Sequence, residues 1–231
     1  MREAFVAELA DLERRIEDEL ERASVILADI AAAIQLPGAD KAREIAGQAT
    51  RLRHAGRMID TELVSVTARQ TPVAGDLRLV LALIEVAHHS ILIANQFDLI
   101  SEQLGHIDAA AVDRGGTAAS LSAMTHLAGS QLLHAVGAFA SRDLARAQRI
   151  DVEDDEIDKL NREVFDATVA LEEAPRKQRE PALRHVLIAR SIERIADNAV
   201  DIAEQAAFLV TAEPCEFTDA SLPRRRPLQR P

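Results

Sequence analysis

At 231 residues, the chain is long enough for one large domain or two small ones. Its apolar content of 48% supports a sizeable core, but there are only six Phe and no Tyr or Trp. The core must therefore consist mainly of small and aliphatic residues, as in closely spaced helix bundles. The formal net charge of −11 argues against a nucleic-acid backbone as partner. The single cysteine, Cys215, excludes a disulfide or a Cys-based zinc site within one chain and fits a reducing cytoplasm.

The N-terminal sequence does not indicate export. The N-terminal sequence has charges every few residues and lacks the apolar core of a signal peptide. No run approaches the roughly 18 apolar residues that a membrane-spanning helix needs. We therefore expect a soluble, cytoplasmic protein.

Apolar residues recur with helical spacing along almost the whole chain, and breaks in this pattern predict six helices. Asp40 is expected to cap the second helix, and Thr71 to cap the third, with Pro72 at its first position. The fifth helix is expected to run unbroken from Arg142, and the sixth to begin at Pro181. The predicted spans are 2–34, 40–70, 72–105, about 117–140, 142–172 and 181–210.

The chain also repeats itself, because a shift of 102 positions lays the sixth helix on the third and places Leu183 on Leu81 and Ala189 on Ala87. We therefore predict an all-α fold of six helices arranged as two tandem, pseudo-symmetric three-helix bundles. The first repeat covers residues 1–107 and the second 115–212, joined through a loose stretch at Gly115-Gly116. Residues 213–231 are Pro-rich and basic, and are predicted to form a disordered tail.

The sixth helix carries a heptad seam of apolar residues and, beside it, a row of acids. Glu193, Asp197 and Asp201 are each four residues apart, so their carboxylates lie on one face of the helix. Like charges at this spacing repel each other. Arg190 and Arg194 could offset the repulsion, and so could a bound cation.

A second acidic cluster lies on the fifth helix, where Asp154 and Asp158 are also four residues apart. If the fifth and sixth helices are antiparallel neighbours, the two acidic faces can confront each other and bind iron, zinc or magnesium. The predicted metal ligands are Asp154, Asp158, Glu193 and Asp197. The competing interpretation is a solvated acidic face, with Arg162 as a further neutralising group.

Other candidate residues give weaker signals. His88 and His89 are adjacent on a helix and point in different directions, so they are interpreted as interior or rim histidines rather than a ligand pair. His185 is interpreted as a packing residue. The sequence contains no Gly-rich phosphate loop, nucleophile elbow or Ser/His/Asp pattern, so no catalytic residue is predicted.

Three segments resemble the PhoU family. Residues 191–204, SIERIADNAVDIAE, resemble its ERIGD signature, with Ala196 where Gly is usual. Residues 69–78, RQTPVAGDLR, resemble the family's entry to its third helix, and Glu153-Asp154 with Ile157-Asp158 resemble its acidic motif. The resemblance spans roughly residues 1–212. It implies a cytoplasmic, two-repeat helical protein, homodimeric, with metal clusters on its acidic motifs.

The resemblance also implies the function of a non-catalytic regulator of phosphate uptake and phosphate-starvation signalling. Its partners would be the ATPase subunit of a phosphate ABC transporter and a phosphate-sensing histidine kinase, with membrane association only through these partners. The alternative is a metal-dependent enzyme or metal-storage protein built on a helical bundle. That alternative needs an acid, base or nucleophile beside the metal, and the sequence offers none beyond the ligands themselves.

The first repeat departs from the family pattern. The positions that match Asp154, Asp158, Glu193 and Asp197 hold Ala49, Arg53, Ile91 and Asn95. A metal site is therefore expected only in the second repeat.

Overall fold

The computed structural model describes residues 2–108 and 116–217, apart from the side chain of Asp151. These residues form six long helices and one short one, and the described part of the chain contains no strand. The helices are α1 (Arg2–Gln35), α2 (Ala39–Gln70), α3 (Gly75–Gly105), α4 (Thr117–Ser141), α5 (Leu144–Ala147), α6 (Ile150–Val169) and α7 (Arg176–Thr211). The prediction of an all-α fold is confirmed.

The helices pack as two groups of three that share one hydrophobic core. In the first half α1, α2 and α3 contact one another, and in the second half α4 and α6 both pack against α7. The halves are joined because α1 packs on α4 and α3 packs on α7. Buried side chains from all six long helices belong to a single cluster, whose largest fully buried members are Phe97 and Phe139. This arrangement leaves α2 and α6 at the outside of the bundle.

Polar contacts fix the alignment of the helices around this core. The guanidinium of Arg15 on α1 donates two hydrogen bonds, of 2.7 and 2.8 Å, to the carboxylate of Glu62 on α2. Between the halves, Nδ1 of His89 lies 2.8 Å from Oδ1 of Asn198. Within the second half, Nδ1 of the fully buried His185 lies 2.6 Å from Oγ1 of Thr117. His89 and His185 thus join helices to one another, as expected for interior and rim histidines.

The predicted continuous helix from Arg142 is wrong, because the chain turns twice between α4 and α6. Arg142 adopts a left-handed conformation at the end of α4, with φ of 54°. Asp143 then caps the short α5, its carboxylate accepting a hydrogen bond of 3.0 Å from the backbone N–H of Arg146. The outer acidic helix therefore begins only at Ile150. Apolar periodicity alone could not reveal this break, since Ala147 and Ile150 are both buried.

Three predicted helix starts also need correction. Thr71 ends α2 in a left-handed conformation rather than starting α3, which begins at Gly75. Gly38, not Asp40, occupies the position before α2. The last helix begins at Arg176, so Pro181 lies inside it. Ion pairs of Glu180 with Arg176 (3.3 Å) and Arg184 (3.4 Å), each four residues away, stabilise this additional turn.

The helix α3 passes the length and composition test for a membrane span, which the sequence interpretation did not foresee. About half of its most apolar window is buried inside the bundle. Core helices of soluble proteins share these properties, and α3 packs against both α2 and α7.

The predicted tail lies partly within the described residues. Residues 213–217 run back along α7, and the backbone N–H of Phe217 donates a 2.6 Å hydrogen bond to Glu204. The Phe217 side chain packs against the core. The rest of the predicted tail, residues 218–231, lies outside the described residues. So does Gly115, one of the two glycines of the predicted join between the repeats.

Candidate acidic groove

Asp158 on α6 and Glu193 on α7 face each other in a groove on the second half. The two helices are linked by a short connection and pack side by side, so they run antiparallel. The side chains of Asp158 and Glu193 are only 17% and 22% exposed. Next to them lies a cleft of about 410 Å³, lined by Asn161, Arg162 and Arg190 among others. The structure thus places one predicted ligand from each helix in the same partly desolvated site.

The pKa of Glu193 is raised above its ordinary value, which shows the electrostatic character of the groove. Burial is the main cause, and the negative charge of Asp158 raises the pKa further. The Arg190 guanidinium opposes this shift, with Nη1 2.7 Å from Oε2 of Glu193. A hydrogen bond from the side chain of Asn161 also lowers the pKa. Burial and the neighbouring carboxylate thus outweigh Arg190, Arg194 and Asn161 in their effect on the pKa of Glu193.

The other two predicted ligands have different surroundings. Oδ1 of Asp154 accepts a 3.1 Å hydrogen bond from Nε2 of Gln131 on α4. Asp197 is exposed on α7. Asp158 is 3.6 Å from Nη1 of Arg162. Across the described residues, no three His, Cys, Asp or Glu side chains are gathered closely enough to hold a metal ion. The structure brings Asp158 and Glu193 together, but does not assemble the full predicted set.

The equivalent groove of the first half is filled by an arginine. The Arg53 side chain on α2 is 19% exposed and forms an ion pair with Asp98 on α3. Its Nε also donates a 2.9 Å hydrogen bond to Oδ1 of Asn95. Arg53 and Asn95 are the positions that match Asp158 and Asp197 of the second half. A built-in guanidinium therefore supplies positive charge in the first half at a place where the second half has carboxylates.

Sequence spacing missed Gln131, His134 and Asn161. The first two lie on α4, which has no acidic motif, yet Gln131 reaches Asp154 and the Nδ1 of His134 lies 2.7 Å from Oε1 of Glu153. Asn161 is three residues after Asp158 and so lies on the same face of α6. That spacing could have identified Asn161, but the contribution of α4 depends on tertiary packing.

Two further glutamates stand out because burial raises the pKa of each to about 7. Glu17 on α1 is half-buried next to Glu13, whose charge raises the pKa further. Glu204 on α7 is half-buried beneath the chain at Phe217, whose backbone hydrogen bond opposes the shift. The ordinary value for both is 4.5. Each therefore binds a proton more readily in the folded than in the unfolded chain.

We expect this difference to make the folded protein less stable as the pH rises from about 4.5 through 7. Over that range the folded state holds protons that the unfolded state has released, so the free energy of unfolding falls with pH. Urea denaturation at about pH 5.5 and pH 8, compared between the wild type and a Glu17→Gln, Glu204→Gln variant, measures the effect. The variant should lose less stability between the two pH values. An equal loss of stability in the wild type and the variant would contradict the raised pKa values of Glu17 and Glu204.

Fold and groove together define the class of protein. It is an all-α bundle of two related halves, in which the second half has an acidic groove and the first an arginine at the matching position.

Comparisons with known proteins show which proteins the chain resembles. Residues 121–206 match the PhoU domain family model, and this segment contains all four predicted metal ligands. A phosphate-specific transport system accessory protein PhoU homolog from Rhizobium meliloti is 28% identical over 209 residues, 90% of this chain and 87% of the relative. PhoU homolog 1 from Methanothermobacter thermautotrophicus is 29% identical over 161 residues, 67% of this chain and 70% of that protein.

Solved structures show the same fold. The phosphate transport system regulatory protein PhoU from Streptococcus pneumoniae superimposes with a TM-score of 0.80 at 18% identity, covering 92% of this chain and 99% of that one. PhoU from Pseudomonas aeruginosa gives a TM-score of 0.73 at 22% identity, with 91% and 97% covered. The chain is thus similar in sequence to phosphate transport accessory proteins of the PhoU type, its residues 121–206 match the PhoU domain model, and it shares the fold of solved PhoU structures.

Proposed function

We propose that this protein is a non-catalytic, cytoplasmic regulator of phosphate uptake and phosphate-starvation signalling. It acts by contact with the ATPase subunit of a phosphate ABC transporter and with a phosphate-sensing histidine kinase, and it reaches the membrane only through these partners. The observation that carries the proposal is the relative from Rhizobium meliloti, which matches 90% of the chain and is named as an accessory protein of phosphate-specific transport. We also propose a homodimer as the functional form, on the sequence resemblance to the PhoU family.

Regulation by contact fits the distribution of surface groups. Leu81 on α3 and Leu183 on α7, which the internal repeat relates, are 47% and 58% exposed. The two repeats therefore each present a leucine to the outside at equivalent positions, where a protein partner could contact it. The alternative of a metal-dependent enzyme or metal-storage protein gains no support from the comparisons, which name transport accessory and regulatory proteins.

The groove supports a second proposal, that Asp154, Asp158, Glu193 and Asp197 bind a cation such as iron, zinc or magnesium. Its basis is the pair Asp158 and Glu193, held together although burial and mutual repulsion oppose their charges. Arg162 and Arg190, which now accompany them, are 66% and 63% exposed and can swing into solvent. A bound cation would supply the compensating charge in their place.

Deleting the gene should misregulate phosphate-starvation genes during growth in ample phosphate, because the transporter and the kinase would lose their regulator. A reporter for a phosphate-starvation gene measures the effect, and a plasmid copy of the wild-type gene should restore normal expression. The same reporter in phosphate-limited medium provides the reference for full induction. An unchanged phosphate response in the deletion strain would contradict the regulatory proposal.

A further inference from the structure

A second pocket lies at the beginning of α6, away from the groove between α6 and α7. It has a volume of about 460 Å³ and is lined by His134, Arg146, Arg149 and Glu153. The two turns that interrupt the chain after α4 create it. Arg146 comes from the short α5, and Arg149 occupies the position immediately before α6.

Charge within this pocket is unevenly compensated. Its one carboxylate, Glu153, already pairs with His134, whose Nδ1 lies 2.7 and 2.9 Å from the two carboxylate oxygens. Among the side chains that the structure describes, neither Arg146 nor Arg149 has an ion-pair partner. Arg146 is half-buried and Arg149 exposed, so two guanidinium groups without an ion-pair partner border an open pocket whose one carboxylate is already paired.

A glycine makes room for one of these arginines. The guanidinium of Arg146 lies directly against Gly137 of α4, and a Cβ atom at that position would come within 2.5 Å of Nη1. Any larger residue at position 137 would therefore displace the guanidinium from its present place. The present position of this guanidinium therefore depends on the absence of a side chain in the middle of a helix, where alanine would otherwise be preferred.

We propose that this pocket binds the phosphate group of a small phosphorylated molecule, with inorganic phosphate as the smallest member of the class. A phosphate group has three acceptor oxygens and up to two negative charges, so it can pair with both guanidinium groups at once, which a single carboxylate does less well. The volume falls in the range of small-molecule sites and exceeds what a bare oxyanion would fill, so an organic part is expected. The inference deepens the proposed function by giving the regulator a ligand.

Isothermal titration calorimetry of the full chain with inorganic phosphate and with AMP, in a phosphate-free buffer, tests the proposal. AMP should bind saturably, with one molecule per chain. Arg146→Gln and Arg149→Gln should each weaken binding by about tenfold or more, because each removes charge-assisted hydrogen bonds. Gly137→Ala should weaken binding without changing any charge. As a control, Arg57→Gln, an exposed arginine of α2, should bind like the wild type.

Circular dichroism should show unchanged helix content in these variants, and Gly137→Ala keeps the test valid even if an arginine variant does not fold. Absence of saturable binding of both probes would overturn the proposal. So would equal affinity in the wild type and Gly137→Ala, or the same loss in Arg57→Gln. Sedimentation with phosphatidylglycerol vesicles tests whether the bound phosphate belongs to a lipid headgroup. Binding to these vesicles but to neither AMP nor inorganic phosphate would also overturn the proposal. None of these outcomes depends on the phosphate-starvation reporter, so the two proposals fail independently.

Discussion

Replacing Phe97 by alanine should lower the free energy of unfolding by about 3–5 kcal/mol. Phe97 is one of the two largest fully buried side chains, and it lies on α3, which packs against α2 in its own half and α7 in the other. Removing a phenyl ring from a buried position leaves a cavity that the surrounding structure fills only in part. Urea denaturation followed by circular dichroism measures the change, and the denaturant dependence should remain that of the wild type.

The matched control is Phe165→Ala, which removes the same side chain from the surface. Phe165 on α6 is 55% exposed, so its removal should change the free energy of unfolding by no more than about 0.5 kcal/mol. If the two substitutions cost the same, Phe97 is not at the centre of a core shared by both halves.

Replacing Asp158 by Asn and Glu193 by Gln together should abolish retention of a bound cation. The double change keeps the shape of both side chains but removes the two charges that the structure brings together. After incubation with iron, zinc or magnesium followed by dialysis, the wild type should retain at least one ion per chain. The retained ion should also stabilise the folded state, by about 2.7 kcal/mol when it is present at a hundred times its dissociation constant.

Asp98→Asn is the control for this experiment, because it removes an acid from the corresponding groove of the first half, where Arg53 supplies the positive charge. It should leave the metal content unchanged. Elemental analysis decides the result. Equal metal content in the wild type and the double variant, or none in either after loading, would defeat the proposed site.

Helical periodicity was enough to predict the architecture. The apolar seam of the last helix, with Ile188, Ile192, Ile195 and Ile202, is fully buried as its heptad spacing required. Ends of helices were less predictable. The turn at Arg142 depends on a left-handed residue followed by an Asp143 cap, and nothing in the apolar pattern marks it. The extension of α7 before Pro181 is stabilised by charged side chains that periodicity does not count.

The acidic groove was also predictable from the sequence only in part. Spacing by four residues placed Asp154 with Asp158 and Glu193 with Asp197, and the packing of α6 on α7 then brought Asp158 and Glu193 together. Spacing could not show that Gln131 of α4 bonds to Asp154, because that contact joins residues on different helices. Likewise, the replacement of carboxylates by Arg53 was readable from the repeat, but its ion pair with Asp98 was not.

The sequence by itself determined the helices, the internal repeat, the family resemblance and the face of each helix that carries acids. These follow from periodicity, which acts along one helix at a time. Only the tertiary structure decided which charges neutralise one another and where a pocket opens, as at Arg146 and Arg149 beside Gly137. The physical reason is that electrostatic pairing and close packing depend on distances between helices. The shared core sets those distances, and it is built from residues that lie on different helices.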